Sequence, residues 1–376
     1  MTNDKLIRNI PMRNNKLIDF LIEHNRNQSI NFCDTANKLW RQEYRENHPT
    51  EIIVLKCMDG RLHLSIMTGT PLGIIQPFRN IGGKFKLGWP YFGSLLKESV
   101  DYAESRKRDC LILVTYHFSK SDIHLGCKGF NYDTEAAKRS AKELVNQLKH
   151  TFIRSNVSVY PILVGIETDQ NVLIAHNEND DILDLSRFDI PDEEALREEI
   201  AKLYPDMKLR IIDDLLPLLL GNIRYMKETA HIIKSPESID HCEQVLGVGR
   251  GFDWLHEINK ALIVGPFSFD LVDPIAKAAG ILMGNIDAGR ISKEEGVVLM
   301  SSAVYRKALG AEQKLAESKA FELAELSLDT IKKHAPKLLP YLSILVGTVN
   351  LNTRLFTRLT FATTLEDTIA IDAKAH

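Results

Sequence analysis

Two cysteines and one histidine in the first half of the chain have the residue types and placement of a metal site. Cys57 ends the run EIIVLKC at 51–57, His117 ends the run DCLILVTYH at 109–117, and Cys127 follows in HLGCKGFNYD. Such runs are typical of buried parallel strands, whose C-terminal ends share one sheet edge and gather functional groups there. Two thiolates and one imidazole are zinc ligands, and a three-residue set leaves the fourth position open, as catalytic zinc requires.

The other cysteines are not expected to join this site. Cys110 begins the strand that His117 ends, and seven residues at about 3.3 Å each separate the two by roughly 23 Å. Cys33 and Cys242 are expected to be small buried hydrophobic residues. Five cysteines in a chain of 376 residues favour free thiols in a reducing compartment over a disulfide framework.

The imidazole ligand has a second candidate. His124 stands three residues before Cys127, which is a compact ligand spacing, but it lies in a loop. A strand positions His117, and sites on rigid elements are held more accurately. We therefore favour His117 and keep His124 as the alternative.

Asp59 and Arg61 follow Cys57 in the motif CMDGR and are the candidate catalytic pair. Two thiolates cancel the charge of a zinc ion, so a nearby acceptor that orients the attacking water is useful, and Asp59 can accept that hydrogen bond. A carboxylate so close could instead bind the metal. Arg61 can pair with both carboxylate oxygens and hold Asp59 away from it.

The elements around these residues alternate between strands and helices. A third run, SVYPILVGI, follows at 158–166, and helical patterns at 94–107 and 134–150 lie between the successive strands. This order predicts an α/β domain with a parallel sheet, and the pattern at 13–45 predicts a helical arm before it.

The second part of the chain looks like a copy of the first. An acidic stretch at 176–194 is the candidate boundary, and helices then precede further strands at 261–269 and 339–356. The strand, turn and strand pattern of ILVGIETDQNVLI returns in ILVGTVNLNTRLF, at an offset of 344 − 162 = 182 residues.

Composition excludes several classes of partner. The 47 Lys+Arg against 50 Asp+Glu give a net charge of −3, which offers no electrostatic footprint for nucleic acid or an anionic membrane. The start has no secretory signal pattern, and the most apolar stretch, at 211–223, contains two aspartates and a proline. We expect a soluble, cytoplasmic protein.

The motifs together resemble the β-class carbonic anhydrases. CMDGR, then RNIGG at 79–83, then SLLKESVDYA at 94–103, and a strand ending in histidine follow the pattern of that class. The usual H-x-x-C is stretched here to His117 and Cys127. With GCKGFNYDTEAA, ILVGIETD and GVGRGFDWLHEINKALIVGP, this departure resembles the divergent carboxysome shell branch, over about residues 50–355.

The resemblance implies a fold of two related α/β domains, of which only the first keeps its zinc. The predicted divisions are an N-terminal helical arm at 1–48, a zinc domain at 49–185, and a degenerate duplicate without zinc ligands at 186–376. The implied activity is the reversible hydration of carbon dioxide to bicarbonate, with Zn²⁺ on Cys57, His117 and Cys127 and with Asp59 and Arg61 in the dyad. The implied partners are further copies of the chain, in a homo-oligomer, and carboxysome shell or cargo proteins. The implied location is a carboxysome, and free cytoplasm is the alternative.

Other interpretations remain open. The same zinc site could hydrolyse a related heterocumulene, carbonyl sulfide or carbon disulfide, or the chain could be a shell or assembly protein with a vestigial zinc site. Gly83 is expected in a close-packed loop at the pocket. His63 is a candidate proton shuttle but is more typical of a structural histidine. The glycines at 247–251 give only a weak phosphate-loop signal, because no clear buried strand precedes them.

Overall fold

Two mixed β-sheets with parallel centres, both flanked by helices, organise the chain. The computed structural model describes residues 15–189, 192–230, 242–255, 260–265 and 270–360. The predicted arm is confirmed as helices α1 (Asn15–Cys33) and α2 (Thr35–Asn47). Across the described ranges, no helix is long and apolar enough to cross a membrane.

The first sheet contains the strands that carry the candidate site. Its elements, in chain order, are β1 (Glu51–Cys57), α3 (Leu64–Met67), β2 (Ile75–Asn80), α4 (Pro90–Ser105), β3 (Cys110–Phe118), α5 (Thr134–Phe152), β4 (Val159–Glu167), β5 (Val172–His176) and β6 (Ile182–Asp184). The strand order is β2-β1-β3-β4-β5-β6, with parallel pairing from β2 to β4 and antiparallel pairing at β5 and β6. The predicted strands are confirmed, with β3 and β4 each displaced by one residue toward the C-terminus.

The second sheet follows two long helices. Its region contains α6 (Glu193–Leu203), α7 (Leu209–Thr229), β7 (Val245–Gly249), β8 (Ala261–Val264), α8 (Val272–Asp287), β9 (Val297–Tyr305), α9 (Ala311–His334), β10 (Leu342–Asn350) and β11 (Phe356–Arg358). The strand predicted at 261–269 is described only to residue 265, because 266–269 lie outside the described residues. The strand, turn and strand pattern is confirmed in both copies, as β4 with β5 and as β10 with β11.

The two sheets have the same strand order, which agrees with duplication. The second sheet runs β8-β7-β9-β10-β11, and each of its strands matches β2, β1, β3, β4 and β5 of the first in position and direction. In register, Leu113 pairs with Ile162 and Leu299 with Ile344, so β9 is offset from β3 by 299 − 113 = 186.

This register identifies the counterparts of the candidate ligands in the second sheet. The offset of 186 makes Ala303 the counterpart of His117. Ile112 pairs with Ile53 and Val298 with Val245, so β7 is offset from β1 by 245 − 53 = 192, and Gly249 is the counterpart of Cys57. Neither residue can bind a metal through its side chain, so among the described residues the repeated topology does not repeat the metal cluster.

The sheets meet at the C-terminal ends of β1 and β2. The backbone N–H of Ile263 in β8 donates to the carbonyl of Met58 at 3.1 Å, and that of Gly265 donates to Arg79 at 3.3 Å. The turn that carries the candidate catalytic pair is therefore in direct backbone contact with the second sheet.

Helix α7 follows the predicted boundary at residue 186 but packs on the first sheet region. The Asn222 side chain accepts from the backbone N–H of Leu173 in β5 at 2.9 Å and donates to the carbonyl of Met67 at 3.1 Å. The Asp214 carboxylate accepts from the N–H of Thr50, just before β1. These contacts join residues of the predicted second domain to the first sheet, and the boundary at residue 186 stays a prediction.

The helical arm packs on the second half of the molecule. Ile18 and Leu21 of α1 are buried in a cluster with strands β7 to β11. The Asn25 side chain donates to the carbonyl of Arg354 at 2.9 Å and accepts from the N–H of Phe356 at 2.6 Å. The arm therefore links the start of the described chain to its last strand.

Candidate metal centre

Cys57, His117 and Cys127 come together at the C-terminal edge of the first sheet. Their ligand atoms all lie within 4.8 Å of one another, and all three side chains are buried. Strands β1 and β3 are parallel neighbours with Leu55 opposite Val114, so their C-terminal residues reach the same level. Parallel pairing explains the approach of Cys57 and His117, and the loop after β3 must supply Cys127.

That loop returns to the sheet through contacts with distant residues. The Asp169 carboxylate, beyond the end of β4, accepts from the backbone N–H groups of Lys120 and Ser121, each at 2.8 Å. The Arg61 guanidinium donates to the carbonyl of Leu125 at 2.7 Å. Two short 3₁₀ turns at Ile123–Leu125 and Lys128–Phe130 then flank Cys127. The ten-residue spacing from His117 to Cys127 is thereby folded into a compact loop.

His124 lies outside the cluster. Its side chain is exposed, and its ring contacts Tyr132 edge-on with the centroids 5.2 Å apart. His117 is 1% exposed and lies beside both thiols. The arrangement therefore agrees with the preference for His117 over His124.

The three side chains fit a zinc ion. Within the described part of the chain, neither buried ring nitrogen of His117 has a nitrogen or oxygen hydrogen-bond partner. Buried polar atoms in folded proteins rarely lack such a partner. The pKa of Cys57 is lowered well below its usual value. The main cause is a hydrogen bond from the Cys127 thiol, and His117 lowers the pKa further. Together they outweigh burial, which raises it. The pKa of Cys127 is raised by the same pairing and by burial. A cation bound at the three ligand atoms would satisfy the imidazole and both thiolates.

Asp59 and Arg61 form a buried, bidentate pair next to the cluster. Arg61 Nε donates to Asp59 Oδ1 at 3.1 Å and Arg61 Nη2 donates to Oδ2 at 2.7 Å. Oδ2 also lies 4.0 Å from His117 Nδ1. The carboxylate is close enough to the ligand atoms to act on a molecule bound there, while Arg61 restrains both of its oxygens.

The RNIGG segment is the close-packed loop that the sequence predicts. Gly83 has φ of +63°, and a Cβ added there would lie 3.1 Å from Thr115 O and 3.4 Å from Cys57 N. A Cβ added at Gly129 would lie only 2.6 Å from the Cα of Gly82. Glycine is therefore needed where this loop passes the end of β1 and the segment after Cys127.

His63 has the environment of a structural histidine. It is 5% exposed, and burial lowers its pKa to about 4. A proton shuttle must exchange protons with solvent near neutral pH, and a neutral, buried imidazole does not meet that need. The structural interpretation of His63 is thus favoured over the shuttle.

The glycine-rich segment at 247–251 does not form a phosphate loop. Its first three residues are the end of the buried strand β7, which begins only two residues earlier, at Val245. The segment continues into the short 3₁₀ turn Phe252–Trp254 and not into an α-helix, so the helix N-terminus of such loops is missing.

Three buried or half-buried charged residues near the site were missed at the sequence level. Lys56 is 1% exposed, donates to the Leu62 carbonyl, and has its pKa lowered to about 7, first by burial and then by Arg79. Asp253, in the second half, forms an ion pair with Arg79. Glu243 is fully buried before β7. For Lys56, the sequence signal was a lysine within the apolar run EIIVLKC. The two acids lie far from the site along the chain and have no local signature in the sequence.

The remaining cysteines lie apart from the metal cluster, and all five are free thiols. Cys110 is buried in β3, as expected. Cys33 and Cys242 are half-buried and not fully buried, so the expectation of core positions is wrong for these two.

Comparison with known proteins points to one group. No protein-family model matches the chain. The chain is 26% identical over 235 residues to the carboxysome shell carbonic anhydrase of Prochlorococcus marinus subsp. pastoris, an alignment that covers 55% of this chain and 46% of the relative. The chain thus spans about half the length of the curated relative that it matches. A solved structure of the β-carbonic anhydrase CcaA aligns at 14% identity over 41% of this chain and 94% of that one, but a TM-score of 0.28 supports no conclusion. This chain is therefore similar to a carboxysome shell carbonic anhydrase over about half of its own length.

Proposed function

We propose that the chain binds Zn²⁺ through Cys57, His117 and Cys127 and interconverts carbon dioxide and bicarbonate. The observation that carries the proposal is the buried cluster of two thiols and one imidazole beside a bidentate Asp–Arg pair. A structural zinc site has no need for such a pair, whereas a hydration site does. The similarity to a carboxysome shell carbonic anhydrase supports the same reaction.

Each residue of the site has a separate task. Zinc held by three protein ligands supplies a strong nucleophile from water near neutral pH. Asp59 accepts a hydrogen bond from the attacking water and fixes its direction toward the carbon atom of carbon dioxide. Arg61 holds Asp59 in that position and keeps its carboxylate ionised and away from the metal.

A cavity of about 510 Å³ lies at the end of β2, and its lining includes Asn80, which pairs with Cys57 in the sheet register. The lining mixes apolar side chains such as Ile81 and Pro274 with charged ones such as Lys84 and Asp273, and it includes none of the five site residues. Its end at Asn80 is our candidate for the approach of a small substrate to the cluster.

Carbon dioxide hydration by the zinc-loaded chain tests this proposal. Cys57→Ala and Cys127→Ala should lose most of the bound zinc and the hydration rate, measured by metal analysis and by a stopped-flow pH indicator. Cys110→Ala is the matched control, because it removes a buried thiol of β3 outside the cluster and should keep both. Wild-type protein that hydrates carbon dioxide no faster than Cys57→Ala would overturn the proposal.

The same samples decide between the alternatives. Turnover of carbonyl sulfide without carbon dioxide hydration would favour the related heterocumulene hydrolase. Tightly bound zinc with neither activity would favour a shell or assembly protein with a vestigial site.

We further propose that the protein works in a carboxysome, as the name of the relative suggests for that protein. Shell or cargo proteins would then be its partners, and a homo-oligomer of two or more copies remains our expectation. Cell fractionation is a direct test: the chain should sediment with isolated carboxysomes. Recovery only in the soluble fraction would support free cytoplasm.

A further inference from the structure

We propose that Glu243, which precedes β7 of the second sheet, is a positioning residue for Arg61 of the first-half site. The inference rests on the proposed function, since it concerns the Asp59–Arg61 pair. It gives the second half of the chain a direct part in the reaction.

The turn that carries the pair is packed against the second sheet. A Cβ added at Gly60, between Asp59 and Arg61, would lie 2.4 Å from the carbonyl oxygen of Ala261 in β8. Together with the backbone hydrogen bond from Ile263 to Met58, this contact leaves no room between the turn and β8. The position of Arg61 therefore depends on the second sheet.

Glu243 lies next to this contact. Ala261 pairs in register with Val245 of β7, and Glu243 is two residues before Val245. The side chain is fully buried, and Asn285 Nδ2 lies 3.2 Å from its backbone oxygen and 3.4 Å from Oε2. Asn285 accepts in turn from Arg290 Nη2 at 2.8 Å. These bonds fix a buried carboxylate just before β7, the strand that pairs with β8 where β8 contacts the turn.

A second carboxylate can act on the charge of the Arg61 guanidinium. Nε and Nη2 are taken by Asp59 and the Leu125 carbonyl, while Nη1 is buried and has no hydrogen-bond partner among the described residues. Burial acts to lower the pKa of Arg61, but Asp59 and then Glu243 outweigh it and raise that pKa. A guanidinium attracted by two carboxylates from different elements stays in place and does not simply follow Asp59.

Loss of the Glu243 charge should therefore loosen Arg61 and misdirect Asp59. In the full zinc-loaded chain, we expect Glu243→Gln to retain zinc and lower kcat for carbon dioxide hydration about tenfold. Glu243→Asp should recover part of that loss. Glu295→Gln is the matched control, because Glu295 is an exposed acid shortly before β9 and should have no effect.

A double-mutant cycle separates positioning from general stabilisation. If Glu243 acts through Arg61, adding Glu243→Gln to Arg61→Lys should cost little beyond Arg61→Lys alone. Should Glu243→Gln fail to fold, Asn285→Ala, which removes the hydrogen bond from Asn285 to the Glu243 carboxylate, replaces it in the same cycle with the same expected result.

The two hypotheses fail differently. A wild-type chain without hydration activity would overturn the proposed function itself. An active wild type with full kcat in Glu243→Gln, or with independent, additive losses in the cycle, would overturn only the role of Glu243.

Discussion

Arg61 holds both carboxylate oxygens of Asp59 while one of them, Oδ2, remains 4.0 Å from the Nδ1 atom of His117. The backbone N–H of Arg61 adds a third bond to Oδ1 at 2.9 Å. The carboxylate thus stands beside the candidate metal ligands with its direction fixed by a neighbour two residues away. A site with this arrangement can direct a water molecule, whereas a site without it can only hold a metal.

Arg61→Lys should lower the rate of carbon dioxide hydration at least about tenfold while zinc content is retained. An ammonium group cannot make the two parallel bonds of a guanidinium, so Asp59 is freed to move toward the metal. The measurement is kcat by stopped flow together with zinc stoichiometry. Arg108→Lys, in the partly buried Arg108–Glu51 pair at 2.9 Å, is the control and should keep full activity. An equally active Arg61→Lys would contradict a positioning role for the guanidinium.

Gly83→Ala should destabilise the protein by about 2 kcal/mol or more, because it combines a left-handed backbone with a crowded site. The added methyl group would press on Thr115 O and Cys57 N, so zinc affinity should fall as well. Gly69→Ala is a close control, since Gly69 has φ of +60° but nothing within 4 Å of an added Cβ. Urea unfolding of both variants isolates the packing contribution. Equal losses would show that only backbone strain matters.

The strands and the first two candidate ligands could be predicted because the signals are local. EIIVLKC and DCLILVTYH are continuous apolar runs, and parallel pairing brings the ends of such runs to one edge. Cys57 and His117 therefore follow from the pattern alone. The repeat was visible in ILVG, and the strand order of both sheets agrees with it.

Cys127 could be named as a candidate ligand from the sequence, but the contacts that bring it to the cluster and the contribution of the second half could not be predicted from local patterns. Cys127 reaches the cluster because Asp169 and Arg61 fix the loop before it, and neither contact leaves a trace in the loop sequence. Glu243 and Asp253 flank β7 of the second sheet and come near the first half only after the sheets have packed. Their effect depends on tertiary contacts between residues far apart in the chain.

Asp253→Asn should weaken the contact between the halves. Asp253 pairs with Arg79, whose side chain is 8% exposed, and the pKa of Asp253 is lowered because Arg79 outweighs the effect of burial. Removing one partner leaves the Arg79 charge poorly compensated, so we expect a loss of about 1–3 kcal/mol in the free energy of unfolding. Asp101→Asn, in the exposed Lys97–Asp101 pair of α4, should cost less than about 0.5 kcal/mol. Similar small losses in both would mean that the Arg79–Asp253 pair adds no stability.

His176 should make the folded state less stable in acid. The side chain is 5% exposed, its Nε2 lies 2.9 Å from the Tyr116 hydroxyl, and its pKa is lowered to about 4, first by burial and then by Lys138. An unfolded histidine binds a proton near pH 6.5, so between about pH 6.5 and 4 the unfolded state takes up a proton that the folded state does not. Stability is therefore retained above this window and falls as the pH drops through it, by at most about 1.4 kcal/mol per pH unit from this group.

The comparison that isolates this effect is between wild type and His176→Gln, because other groups titrate in both proteins. Urea unfolding at pH 7 and pH 5 should show a smaller loss of stability in the variant than in wild type. His150→Gln, which replaces an exposed histidine of α5, should behave like wild type. If His176→Gln and wild type lose the same free energy over this range, His176 is not held neutral in the folded protein.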